Sequence, residues 1–291
     1  MPELPEVETV RRGLVELLPG RKFKKLTVSN LKSFRSSGEE DSFLIGAKVT
    51  GVRRRAKVLM IDLDSGYTLV THLKMTGQLV FVGEERFGAG HPSDSLIGNL
   101  PDRSTRIEYQ FQDDSHLFFN DQRKFGWMWL MPTLEVDNID FMKRVGPEPL
   151  DDDFTEQQFK ARFTRRARTS IKAALLDQSV IAGVGNIYAD ESLWGAKVHP
   201  GRLVSSLTDV EWHDLYTDLR VVLALSIEKG GSTAKNYLNA RGEKGKYLDF
   251  ARVFRREGLP CPRCGATIVK LRVAGRGTHI CPQEQILEKV L

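Results

Sequence analysis

Cysteine is nearly absent, with three residues in a chain of 291. Cys261 and Cys264 form one Cys-x-x-Cys pair and Cys281 stands apart, an odd set that argues against a disulfide framework. It favours a metal site in a cytosolic compartment. No apolar run reaches about 18 residues, so no membrane-spanning helix is expected. The opening Met1-Pro2-Glu3-Leu4-Pro5-Glu6 is acidic and lacks the basic and apolar regions of a secretory leader. No internal repeat is present, which excludes a solenoid or propeller. Acidic residues are locally missing: residues 162–172 hold five Lys/Arg and no Asp/Glu.

What is present is basic and apolar. The net charge is +5, which favours a polyanionic partner. Residues 240–276 carry ten Lys/Arg against three Asp/Glu, an excess larger than that of the whole chain. Arg53, Arg54, Arg55 and Lys57 form a third basic cluster. Any one of these is most simply a solvated charged face. Three of them, one beside the cysteine pair, point to nucleic acid. Apolar residues make up 41% of the chain, enough for the cores of one large or two medium domains.

Val7, Val10, Leu14 and Leu17 recur at helical spacing, which predicts an amphipathic helix over residues 5–18. From about Phe23 to Met131 the pattern changes to short β runs at 49–52, 58–63, 68–73, 79–82, 106–111, 117–120 and 126–130. Gly, Asp and Ser punctuate them, as in a sandwich or barrel. Residues 83–104, rich in Gly, Pro, Ser and Asp, read as a long exposed loop. The expected organisation is α+β: a β domain with an N-terminal helix over 1–131, then a linker over 132–154. A helical domain over 155–228 follows, then a loop and return over 229–256, and a finger-like hairpin over 257–291.

Removal of Met1 would make Pro2 the N-terminus, with a secondary amine beside Glu3 and Glu6. An α-amino group has a pKa of roughly 7.7–8.0, so a useful fraction is nucleophilic near neutrality. Attack on a carbonyl-like carbon forms a covalent Schiff base, cationic in the case of proline, and a neighbouring carboxylate can move protons for it. The plainer reading is a helix start, with Pro in the first turn and acids at the positive end of the dipole.

The segment MPELPEVETVRRGL resembles the start of formamidopyrimidine-DNA glycosylases, bacterial enzymes that remove oxidised purines from DNA. The related endonuclease VIII group usually has Gly where Leu4 stands. The resemblance recurs along the chain. Lys57, in Arg54-Arg55-Ala56-Lys57-Val58-Leu59, matches the family's catalytic lysine; on its own it reads as a surface lysine at a strand start. His72-Leu73-Lys74-Met75-Thr76-Gly77 is similar to the family's HLxMxG segment, whose Met fills the gap left by an extruded nucleotide. A lone Met is usually core filler, but Met75 is expected at a turn tip. Its partners map to Arg123 and Phe125 in Asp121-Gln122-Arg123-Lys124-Phe125-Gly126. An enzyme that works on a base in a duplex must flip it out. An apolar wedge then offsets the lost stacking, and an arginine can bond the orphaned base.

Asp177-Gln178-Ser179-Val180-Ile181-Ala182-Gly183-Val184-Gly185-Asn186 suggests a tight turn between helices, an ordinary hairpin in the plain reading. It resembles the family's helix–two-turn–helix, in which Asn186 would contact phosphate at a helix N-terminus. Lys172 matches a second phosphate-side lysine of the family. Gly230-Gly231-Ser232-Thr233-Ala234-Lys235-Asn236-Tyr237 begins a surface loop similar to the family's lesion-recognition loop. Ser232, Thr233, Lys235 and Tyr237 are the candidates there, chiefly through main-chain donors. The finger comprises Cys261-Pro262-Arg263-Cys264 and Cys281-Pro282-Gln283-Glu284-Gln285. The family has four cysteines and one structural zinc; here Glu284 stands at the fourth position. Carboxylate oxygen is an acceptable zinc ligand. Three readings stay open: Glu284 as fourth ligand, His279 or water instead, or a hairpin that folds without zinc. Arg276 matches the family arginine that grips the phosphates flanking the lesion.

The resemblance implies an N-terminal β-sandwich, a helix–two-turn–helix domain and a zinc-finger-like hairpin. It implies a bifunctional DNA glycosylase/AP lyase that acts on damaged double-stranded DNA held in a basic cleft between the domains. Catalysis would rest on Pro2, Glu3, Lys57, Glu6 and Arg276, and DNA contact on Met75, Arg123, Phe125, Lys172, Asn186 and Arg276. The expected metal ligands are Cys261, Cys264, Cys281 and Glu284. A monomer in the bacterial cytoplasm, associated with the nucleoid through DNA and without membrane or protein partner, is expected. Two competing functions are an endonuclease VIII-type pyrimidine glycosylase and a damage-binding module without catalysis.

Overall fold

The computed structural model describes residues 1–36, 40–91, 93–232 and 247–287. The chain divides into two compact units, Met1–Lys143 with Lys229–Tyr247, and Arg144–Glu228 with Leu248–Leu291.

The first unit opens on α1 (Leu4–Leu17). Ten strands follow among the described residues: β1 (Phe23–Val28), β2 (Phe34–Arg35), β3 (Val49–Arg55), β4 (Val58–Leu63), β5 (Tyr67–His72), β6 (Gly77–Val82), β7 (Arg86–Gly90), β8 (Thr105–Phe111), β9 (His116–Asp121) and β10 (Trp127–Pro132). They form two five-stranded sheets, ordered β1-β8-β9-β6-β7 and β2-β10-β5-β4-β3. Pairing is antiparallel except between β2 and β10. Leu59, Ile61 and Leu69 from one sheet meet Leu79, Phe81, Ile107 and Phe119 from the other in one buried core, closed by Val7, Val10 and Leu14 of α1. Each side chain of this size contributes about 1.5–3 kcal/mol when fully buried. The helix lies close on β7: a Cβ added to Gly13 would sit 2.1 Å from the Phe87 ring.

Two departures from the sequence expectation have clear causes. The stretch 83–104 is not one exposed loop, since β7 pairs along β6 and buries Phe87, Gly88, Ala89 and Gly90. Small residues there answer to close packing, with Gly90 set against the Gly77 carbonyl, and not to chain flexibility. The expected linker begins as structure: Val136, Ile139, Phe141 and Met142 cover Val58, Met60 and Val70 on the outer face of the second sheet. The short helix α2 (Asp140–Arg144) lies in that stretch.

A charged knot fastens α1 to β3. Glu8 bonds Arg11 at 2.7 Å, Arg12 at 3.0 Å and Arg54 at 3.1 Å. Burial works to raise its carboxyl, but hydrogen bonds and charge from Arg11, Arg12 and Arg54 prevail and hold it at about 2. A carboxylate whose folded pKa lies below its unfolded value contributes stability above the unfolded pKa, and that stability is lost as the pH falls towards the folded one. The parent chain is therefore expected to lose melting temperature steeply between about pH 5 and pH 2. Glu8→Gln should melt lower at neutral pH and show a flatter acid limb in calorimetry. Parallel acid limbs would remove Glu8 from this role.

The second unit contains α3 (Glu156–Phe163), α4 (Ile171–Leu176), α5 (Asn186–Gly195) and α6 (Asp209–Glu228). The short α7 (Tyr247–Phe250) precedes the hairpin of β11 (Val269–Val273) and β12 (Arg276–Ile280). Reciprocal bonds between Thr155 and Gln158 cap α3. Residues 188–194 of α5 are all buried, so the helix is central and its polar residues must find partners inside. Glu191 accepts the backbone N–H groups of Arg252, Val253 and Phe254 at 2.8–2.9 Å. The turn before α5 is braced by Gln178, which accepts from Gly183 N at 3.0 Å and donates to the Val184 carbonyl at 2.8 Å. Gly183 takes a positive φ of 77° there.

Candidate functional site

Pro2 is buried behind an exposed Met1, immediately before α1. The next two acids are ordered by the helix start itself. Glu3 N–H donates to Glu6 Oε2 at 2.8 Å, and the Glu3 side chain accepts from the Glu6 backbone, a capping box made of two carboxylates. Glu6 Oε1 in turn accepts from both Ser232 N and Ser232 Oγ, each at 2.8 Å. Gly231 makes this contact possible, with φ at 85° and its Cβ direction only 3.2 Å from Glu6 Oε1. Glu6 therefore ties the N-terminus to the start of the Gly-Gly-Ser loop. Of the loop candidates, Ser232 is placed; Thr233, Lys235 and Tyr237 lie outside the described residues.

Lys57 sits in the turn between β3 and β4 and is only 4% exposed, so it is not a plain surface lysine. Ala56 before it adopts φ of 52°, and its carbonyl accepts from Arg54 Nη1 at 2.8 Å. The same guanidinium reaches Glu8, which connects this turn to α1. Val58, next to Lys57, pairs with His72 across the sheet. His72 was visible in the sequence as part of a motif but carried no role. Its Nδ1 accepts from Lys74 N–H at 2.9 Å, which leaves Nε2 as the protonated nitrogen of a neutral ring. Burial, then the charges of Lys74 and Lys57, push the imidazole down to about 3. His72 is thus a neutral donor at physiological pH.

Met75 and the Arg123–Phe125 pair are brought together by an acid between them. Met75 lies half-buried in the turn from β5 to β6, and Arg123 and Phe125 lie in the turn from β9 to β10. Asp121 accepts the Thr76 hydroxyl from the first turn. It also accepts Arg123 N–H at 3.2 Å and Gly126 N–H at 2.6 Å from the second. Thr76 Oγ1 accepts from Arg123 N–H at 3.0 Å as well. The Arg123 guanidinium lies 4.8 Å from the Phe125 ring centre, and Phe125 is 54% exposed. Burial and then the charge of the chain's N-terminus push His91 below its ordinary range, while Asp121 pulls the other way.

In the second unit, Asn186 begins α5, and its Nδ2 donates to the Gly277 carbonyl at 3.0 Å, next to the exposed Arg276. Asn186 Oδ1 is buried with no hydrogen-bond partner among the described residues. Lys172 requires a correction. It is fully buried, and its Nζ donates to Asp190 Oδ1 at 2.5 Å, Thr278 Oγ1 at 2.7 Å and Gly277 O at 3.4 Å. An ammonium so enclosed cannot meet a phosphate; it fastens the hairpin that carries Arg276 onto α5.

The sulfurs of Cys261, Cys264 and Cys281 all lie within 4.8 Å of one another. Burial works to raise both buried thiols; backbone N–H groups of Arg263 and Cys264 bring Cys261 down to about 7, whereas Cys281 is held up at about 11 despite those of Gln283 and Glu284. The donor set fits zinc. His279 does not belong to it: Nδ1 faces Asp190 at 3.3 Å and Nε2 faces Glu257 at 2.7 Å. Among the described residues, no helix is long and apolar enough to cross a membrane.

Residues 1–128 match the family model of the formamidopyrimidine-DNA glycosylase N-terminal domain, and residues 145–237 match that of its H2TH domain. Residues 258–283 match the zinc finger found in FPG and IleRS. The formamidopyrimidine-DNA glycosylase of Pelotomaculum thermopropionicum is 42% identical over 284 residues, covering 97% of this chain and 98% of that protein. The crystal structure of MutM (Fpg) from Thermus thermophilus aligns with a TM-score of 0.83 at 38% identity, over 98% of each chain. Lactococcus lactis Fpg, solved with DNA containing N7-benzyl-Fapy-dG, aligns with a TM-score of 0.85 at 33% identity, over 98% of this chain and 99% of that one. A β-sandwich with its N-terminal helix, a helix–two-turn–helix module and a zinc finger define a DNA glycosylase of the DNA-repair class. The chain belongs to the formamidopyrimidine-DNA glycosylase family.

Proposed function

We propose that this chain excises oxidised purines, 8-oxoguanine opposite cytosine and formamidopyrimidines, from duplex DNA and then cleaves the strand. The observation that carries the reading is the N-terminal arrangement. A buried Pro2 precedes two carboxylates locked into one capping box, and Glu6 reaches the start of the Gly-Gly-Ser loop. Support also comes from the relative solved with Fapy-dG DNA.

Once Met1 is removed, the Pro2 nitrogen attacks the sugar C1′ and the damaged base leaves, taking a proton. Glu3 moves protons on the opening sugar, and Glu6 holds the terminus in position. The resulting iminium acidifies C2′; loss of that proton expels the 3′ phosphate, and a second elimination expels the 5′ phosphate. Hydrolysis of the Schiff base then frees Pro2. Lys57 and the neutral His72 face the sugar-phosphate side. Met75, Arg123 and Phe125 fill the space of the flipped nucleotide, and Asn186 and Arg276 hold phosphate. Zinc, bound at the cysteines, supplies folding energy to the finger and no chemistry. The chain acts as a monomer on DNA in the bacterial cytoplasm.

The test is a panel of duplexes carrying 8-oxoguanine opposite cytosine, a formamidopyrimidine or thymine glycol, assayed for base release, strand nicking and borohydride trapping. Fastest release of the purine lesions, with a trapped adduct on Pro2, is expected. Faster excision of thymine glycol would favour the pyrimidine-directed alternative. Tight binding without release from any duplex would mark a binding module.

A further inference from the structure

The finger is built from two turns of the same design. In the first, Cys261-Pro262-Arg263-Cys264, the Gly265 N–H closes onto the Cys261 carbonyl at 2.9 Å. In the second, Cys281-Pro282-Gln283-Glu284, the Gln285 N–H closes onto the Cys281 carbonyl, also at 2.9 Å. Glu284 therefore holds in the second turn the place that Cys264 holds in the first. Among the described residues three sulfurs converge within 4.8 Å with no carboxylate oxygen in the group, and a tetrahedral ion needs one donor more, which a turn of the Glu284 side chain away from Arg263 would supply.

The environment of Glu284 supports a ligand there. Its side chain is 12% exposed, and the buried Oε2 makes no hydrogen bond among the described residues but is ion-paired with Arg263 Nη1. The nearest charge is Arg263 Nη1 at 3.2 Å, and that guanidinium is itself stacked 3.8 Å over the Trp194 ring and donates to the Trp194 carbonyl at 2.9 Å. The second turn is held in place, since Gln285 accepts from Cys281 N–H at 2.9 Å and donates to the Val198 carbonyl at 3.0 Å. His279, the other nearby donor, is taken up by Asp190 and Glu257.

We propose that Glu284 is the fourth ligand of the finger's metal ion, an oxygen donor that completes a three-thiolate site while Arg263 braces its carboxylate. The inference rests on the reading of this module as a zinc finger. Three thiolates and one carboxylate leave a divalent ion with two negative charges in excess, and the Arg263 guanidinium offsets part of that excess. Oxygen is a harder donor than thiolate, so the site should bind soft ions less tightly than four cysteines would.

Cobalt(II), loaded into the full chain after zinc removal, reports the donor set by absorption. Glu284→Cys is expected to move the ligand-field bands to longer wavelength and to raise the thiolate charge-transfer intensity by about one third. Glu284→Ala should bind cobalt and zinc about tenfold or more weakly in competition with a chromophoric chelator. An alanine variant with the parent's spectrum and affinity would overturn the assignment and leave the zinc reading intact. A parent chain that takes up neither ion would overturn both. Glu284→Gln, which keeps the side chain's shape and removes its charge, covers the case where the alanine variant folds poorly: weaker metal binding with a shifted cobalt spectrum supports the assignment, and the parent's spectrum and affinity overturn it.

Discussion

Pro2→Gly is expected to bind 8-oxoguanine duplex about as well as the parent chain and to lose base release and borohydride trapping by on the order of a hundredfold, about 2.7 kcal/mol of barrier. The reasoning is chemical. Glycine leaves a primary amine, whose adduct is a neutral imine that must gain a proton before it draws electrons. Proline's adduct carries the charge from the outset. Glycine also gives up the pyrrolidine ring, which holds the nitrogen and its lone pair in a fixed place relative to Cα. The groups proposed to hold DNA, Met75, Arg123, Phe125, Asn186 and Arg276, are unchanged, so affinity should be spared. A loss of binding that matches the loss of cleavage would show that Pro2 serves the fold instead.

The second large effect is expected at Lys172, where the structure departs most from the family-based expectation. Lys172→Met removes the cation from a fully buried pair and leaves Asp190 Oδ1 without its ammonium donor, while Oδ2 keeps His279. Breaking such a pair costs about 3–5 kcal/mol. At roughly 2–4 °C per kcal/mol for a protein of this size, the melting temperature should fall by about 6–20 °C. The double variant Lys172→Met/Asp190→Leu should recover only part of that loss, because the apolar pair needs no compensating charge but the buried His279 N–H loses its acceptor. DNA affinity should stay reduced in both variants, since Thr278 and Gly277, beside Arg276, lose their anchor. A single variant that melts like the parent yet binds DNA weakly would restore the phosphate-contact role.

These two sites differ in how readable they were. The Pro2 arrangement is local: Glu3 and Glu6 stand three residues apart, the spacing of a capping box, and α1 follows from the apolar stripe of Val7, Val10 and Leu14. The Met75 and Phe125 turns were also readable as breaks between β runs. Lys172 was not, because its partners lie 18 and 106 residues away. No local pattern separates a lysine aimed at phosphate from one aimed at a buried aspartate. β7 was hidden for a related reason, since Gly88 and Gly90 look like loop residues until the Leu96 and Gly77 carbonyls are found against them.

The sequence by itself determined the chemistry on offer: a proline at position 2 beside two acids, three cysteines with a carboxylate where a fourth would stand, and basic segments suited to DNA. It also determined the α+β layout, because strand and helix periodicities are set by near neighbours. Tertiary structure decided which charges face water. It buried Lys172 on Asp190, held His72 neutral between Lys74 and Lys57, and committed His279 to Glu257 and away from the cysteines. The physical reason is that the cost of burying a charge, and the partner that offsets it, depend on residues distant in the chain. That pairing exists only once the sheets and helices have packed.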